Sequence, residues 1–161
     1  MINDLRDKGH MTEPEFDLPP KATPEVVAER NTLADEVCRE LTRAGLPVHR
    51  GDLDVGAQKR PGARVYVEPF VEGGVYMNWH TDAELSTAAI ELFGQGIDYA
   101  NPPQVVRHHS TVLKHMQAAL MGILASAGFE VEEPDRHGHG SMVHVKAYGG
   151  NWVVYTSRLE G

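Results

Sequence analysis

Apolar residues at Val26, Val27, Leu33, Ala34, Val37, Cys38 and Leu41 recur at steps of three and four, with Glu29, Arg30, Glu36, Arg39, Glu40 and Arg43 mostly on the opposite side. That spacing predicts an amphipathic helix over 24–44 lying on an apolar surface. Thr23 is placed to cap its start, Pro24 fits the first helical position, and Gly45 supplies a left-handed stop. The pattern then changes to alternation. Residues 63–69 and 75–81 read as strands, 48–55 as a weaker one, and GluGlyGly at 72–74 as a hairpin tip. A three-stranded antiparallel meander is predicted.

ThrAspAlaGlu at 81–84 has the form of a capping box, and Leu85, Ala88, Ala89, Leu92 and Phe93 follow at helical spacing. A short helix over 83–93 follows from these. Next, Val105, His109, Val112, Leu113, Met116, Leu120, Ile123, Leu124 and Ala127 form a wider apolar stripe over 102–127, with Asn101 as cap and Gly128 as stop. Strands are predicted at 129–133, 141–148 and 151–159.

This order contains the same local pattern twice. ThrProGluValVal at 23–27, AlaGlyLeuProVal at 44–48, ValTyrVal at 65–67 and GlyGlyValTyrMetAsnTrp at 73–79 have counterparts farther along. These are ProProGlnValVal at 102–106, AlaGlyPheGluVal at 127–131, ValHisVal at 143–145 and GlyGlyAsnTrpValValTyr at 149–155. The expected fold class is α+β: two αβββ halves, 23–81 and 102–159, bridged by 82–101 within one domain, with the long helices on one face of antiparallel sheet. Residues 1–22 are polar and rich in Asp, Glu and Pro without periodicity, and they read as a flexible arm.

Alternation also divides each strand into two faces. Val65, Val67, Val75, Met77, Trp79, Val143, Val145, Ala147, Val153 and Tyr155 are expected under the helices. The other face carries Tyr66, Tyr76, Tyr148 and Trp152 among Arg64, His80, His144 and Lys146. Aromatic rings with polar tips give large contact area at low entropy cost, so Tyr66, Tyr76, His80, His144, Lys146, Tyr148 and Trp152 are the candidate binding residues. Tyrosine also suits the wet side of an antiparallel sheet for its own sake.

Composition narrows the chemistry. The 161 residues, 41% hydrophobic and 24% charged, suffice for one domain with a real core. A net charge of −8 repels phosphate backbones and attracts basic protein surfaces, so the expected partner is another protein and not nucleic acid. Cys38, the one cysteine, excludes an internal disulfide and a thiolate-rich zinc cage. With no charged-then-apolar leader and no long apolar run, a cytoplasmic setting without membrane contact is expected. Arginine outnumbering lysine 10 to 5 points to a bacterial source.

Nine histidines invite a metal reading, and Asp135, His137, His139 and His144 are the densest group. HisGlyHis has no diagnostic ligand spacing, so neither metal nor cofactor is expected. His108, His109 and His115 do not form the i, i+4 pair of helical metalloenzymes. His80 and Asp82, with Glu84 nearby, form the one arrangement suited to acid–base chemistry, though both carboxylates also fit a helix start. No nucleophile-elbow or phosphate-loop motif is present.

The expected function is a non-enzymatic, acidic protein-binding module, an adaptor of the immunity-protein or secretion-chaperone sort. The element order resembles the helix-plus-meander plan of secretion-chaperone-like proteins, a likeness of plan carried by no motif. Self-association through the aromatic face or an edge strand fits the same features. The alternatives are a subunit of a larger assembly that orders the N-terminal arm, and a histidine- or metal-dependent enzyme built on His80, Asp82 and the 135–144 loop.

Overall fold

The computed structural model describes residues 18–53, 56, 60–134 and 141–149. They form an α+β fold in the order α1 (Pro24–Arg43), β1 (Val48–Arg50), β2 (Gly62–Val67), β3 (Val75–His80), α2 (Ala83–Gly94), α3 (Gln104–Ser126), β4 (Phe129–Glu132) and β5 (Val143–Tyr148). The expected strand at 151–159, and with it Trp152, Val153 and Tyr155, lies outside the described residues, as do Asp135, His137 and His139.

Among the described residues, five strands make one mixed sheet in the order β1-β2-β3-β5-β4. The expected meander is corrected at its first strand: β1 runs parallel to β2, Val48 facing Ala63 and Arg50 facing Val65, while the remaining neighbours are antiparallel. A parallel return ordinarily needs a crossover of a dozen or more residues, and here only 51–61 intervene. Two features set this geometry. Gly62 adopts φ +128°, and a Cβ there would lie 2.6 Å from the Pro47 carbonyl oxygen, so β2 begins pressed against the chain leading into β1. At the other end of β1, the Arg50 guanidinium donates to Asn31 Oδ1 and Asp35 Oδ1 of α1, both at 2.8 Å, and to Asp52 at 3.0 Å. The two halves therefore share the order helix, strand, strand but differ in the direction of the first strand pairing, since β4 is antiparallel to β5.

Local chemistry explains the helix ends. Thr23 Oγ1 accepts from the Val26 amide at 3.3 Å, and Gly45 turns left-handed at φ +91°. For α2 the cap is Asp82, whose carboxylate accepts from the Glu84 amide at 3.1 Å, one residue later than a Thr81 capping box requires. Pro103 takes the place expected of Asn101 at the start of α3.

One core cluster joins Ala34, Val37 and Leu41 of α1 and Leu120 and Leu124 of α3 to Ala63, Val65, Val75, Met77, Val143 and Val145 of the sheet. These strand residues share a face by register, with Val65 opposite Met77, Met77 opposite Val143 and Val75 opposite Val145. Arg30 then fastens α1 to the β2–β3 hairpin, donating to the carbonyls of Glu68 (2.8 Å), Phe70 (2.6 Å) and Val71 (3.3 Å). The chain just before α1 joins the same hairpin: Lys21 bridges Phe70, and the Ala22 amide donates to the Pro69 carbonyl at 2.9 Å. Residues 1–17, the rest of the stretch read as an arm, lie outside the described residues.

Cys38 packs half-buried against the core, and burial pushes its thiol up to about 11 despite the opposing pull of Arg50. At about pH 8 its thiolate fraction is then roughly a hundredfold below that of an ordinary thiol. Alkylation of the native protein by iodoacetamide should be slower by about that factor, and unfolding in urea should restore the ordinary rate. A native rate matching free cysteine would contradict the packing described.

Candidate recognition face

On the side of the sheet away from the core, antiparallel register lines up one residue from each of four strands. Tyr66 of β2 faces Tyr76 of β3, Tyr76 faces His144 of β5, and His144 faces Glu132 of β4. The rings stack as a row: Tyr66 and Tyr76 have centroids 6.0 Å apart at 24°, Tyr76 and His144 4.7 Å apart at 13°. Offset stacking of this kind contributes about 0.5–1.5 kcal/mol per pair beyond area. Gly74 leaves room for the row, because a Cβ there would lie 2.7 Å from His144 Nε2.

Polar contacts fix both ends. His144 Nδ1 and Glu132 Oε1 are 3.0 Å apart, and Lys146 Nζ lies 2.9 Å from Glu132 Oε2, so one carboxylate orients two basic groups. Hydrogen bonds from Lys146 and then His144 hold the Glu132 carboxyl below its usual range. At the other end, Tyr66 Oη donates to Met142 Sδ at 3.4 Å. Glu132 and Met142 were not among the candidate residues; only the pairing of β4 with β5 and the approach of residue 142 to β2 bring them into the row.

Burial pushes the Tyr66 hydroxyl up to about 12, with Glu68 and Tyr76 adding to it, and raises Tyr76 in the same direction. Since the folded state holds the Tyr66 proton more tightly than an ordinary tyrosine near 10, stability is unaffected below about pH 10 and is lost between about pH 10 and 12. Absorbance titration at 295 nm should show one tyrosine ionising well after the others, and Tyr66→Phe should remove that late step. A single ordinary transition for all tyrosines would contradict the burial.

Beyond this row, Arg64 faces Asn78 and Gly62 faces His80. Burial, followed by the charge of Arg64, lowers the pKa of His80 and keeps it neutral. His80 Nε2, Asn78 Oδ1 and Thr81 Oγ1 are buried polar atoms with no hydrogen-bond partner among the described residues. Each such atom costs about 1–3 kcal/mol unless something meets it. A shallow cavity of about 360 Å³ opens beside Asn78, lined also by Gly51, Asp52, Arg64, Tyr66 and Val67. Asp82 accepts the Glu84 amide at the α2 cap, and among the described residues His80 Nε2 makes no hydrogen bond to it. Among the described residues no group of three His, Cys, Asp or Glu could hold a metal.

Tyr148 does not lie on this face. Between Glu130 and Val131 the β4–β5 register slips, Glu130 facing Ala147 and Val131 facing Val145, so Lys146 is the extra residue of a bulge. Alternation shifts by one there. Ala147, expected in the core, is exposed, and Tyr148 turns to the helix side, its ring 4.8 Å from that of Phe129. There it lines a groove of about 260 Å³ with Glu36, Arg39, Glu40 and Arg43 of α1. The row therefore joins Tyr66, Tyr76 and His144, with Lys146 at its edge and His80 at the far end of β3.

The chain matches no protein-family model, no curated protein and no solved structure. Among the described residues, no helix is long and apolar enough to cross a membrane.

Proposed function

We propose that this chain is a non-enzymatic protein-binding module, an acidic adaptor of the immunity-protein or secretion-chaperone kind acting in the cytoplasm of a bacterium, and that it grips its partner with the Tyr66–Tyr76–His144 row. The observation that carries this reading is the row itself: stacked rings across three strands, already ordered by register and by the Glu132 carboxylate. A preordered aromatic surface loses little entropy on binding. A net charge of −8 favours a partner with a basic surface. The same reading takes 23–81 and 102–159 as copies of one αβββ unit.

The test is capture from native extract followed by hydrogen exchange of the purified complex. A stoichiometric partner should slow exchange in β2, β3 and β5, where the row sits. Recovery of no partner, or protection confined to the helices, would refute the proposal.

A further inference from the structure

We propose that the α2–α3 helix pair is the contact between two copies of this chain. On α2, Ala83, Ser86, Ile90 and Phe93 recur at steps of three, four and three and make an uncharged stripe; Leu85, Ala88, Ala89 and Leu92 occupy the more buried side. The stripe is left open: Ile90 is 67% and Phe93 49% exposed, and the 81% exposed Tyr99 sets its ring 6.3 Å from that of Phe93. Three large apolar side chains in the open within ten residues are a patch, not scattered exceptions.

Charge identifies the occupant. The charged side chains of α2 are Glu84 and Glu91, both acidic and exposed; those of α3 are Arg107 and Lys114, both basic and exposed, with His108 and His115 beside them. The two helices pack against each other, so a helix whose charged side chains are acidic lies beside one whose charged side chains are basic. A two-fold axis sets α2 of one copy on α3 of the other and the reverse, which makes such a surface self-complementary. Elsewhere, two chains of net charge −8 repel. With α3 roughly 35 Å and α2 roughly 18 Å long, each about 10 Å across, the pair outlines roughly 500 Å², within about twofold of the ~800 Å² per partner that a stable dimer uses. This contact is independent of the sheet-face reading.

Sedimentation velocity of the untagged full chain, from about 1 to 100 µM in low salt, should show a concentration-dependent species with the mass of two chains. Ile90→Gln with Phe93→Gln should weaken that association at least thirtyfold with unchanged circular dichroism and melting temperature, while Tyr76→Ala leaves it intact. Chains carrying Glu84→Lys with Glu91→Lys, and chains carrying Arg107→Glu with Lys114→Glu, should each self-associate at least tenfold more weakly. An equimolar mixture of the two should recover wild-type association, which charge pairing within one chain cannot produce. A wild-type chain that stays monomeric throughout, a dimer that survives the Ile90 and Phe93 changes, or a mixture that fails to associate would overturn the proposal.

Discussion

Gly62→Ala is expected to destabilise the fold by about 3–5 kcal/mol, a fall in melting temperature on the order of 10 °C. Two costs combine at this position. The backbone sits at φ +128°, which a side chain strains, and the new methyl group would meet the Pro47 carbonyl oxygen at 2.6 Å. That oxygen already accepts the Ala63 amide at 2.9 Å, so relieving the clash pulls apart the β1–β2 pairing. Gly45→Ala separates the two contributions. It shares the positive φ, at +91°, but has no atom within 4 Å of the added carbon, so it should cost only about 1 kcal/mol. Thermal melts of the two variants side by side decide the matter. Equal losses would mean that the close approach to Pro47 does not hold β1 in place.

Tyr76→Ala should weaken partner binding by at least thirtyfold, the scale of about 2 kcal/mol expected for a central aromatic anchor. Its ring is the middle member of the row, stacked on Tyr66 on one side and on His144 on the other. Removing it leaves two separated rings and a gap in what had been a continuous surface. Its effect on the fold is far smaller, about 1 kcal/mol of cross-strand contact, because the core lies on the opposite face. Tyr76→Phe keeps the ring and should retain most of the affinity. Titration of the captured partner against the three proteins, each checked for its melting temperature, makes the comparison. Undiminished affinity in the alanine variant would remove the row from the binding surface.

Periodicity made the helices legible because each buries one stripe, α1 against the sheet and α2 against α3: the stretch predicted at 24–44 is α1 at Pro24–Arg43, and that at 83–93 is α2 at Ala83–Gly94. The faces of β2 and β3 were legible for the same reason, since Val65, Met77 and Val75 alternate strictly with Tyr66 and Tyr76. Two features were not. The direction of β1 depends on the Gly62 backbone and on Arg50 reaching Asn31 and Asp35 across the fold, and no local signal in 48–55 encodes it. The side of Tyr148 depends on a bulge at Lys146, a single added residue that inverts every later assignment in the strand. The Glu132 contact with His144 and Lys146 was hidden likewise, because it exists only once β4 and β5 are paired in this register.

Among the described residues, the outer strands of the sheet are poor templates for zippering. β1 is only three residues long, and β4, at the opposite rim, carries Glu130 and Glu132 in a four-residue run followed by Glu133. Short rims and closely spaced like charges oppose the lateral docking of another extended chain, which is how sheet proteins avoid growing into fibrils. A fold built this way can display tyrosines on its flat side while its described rims resist lateral growth.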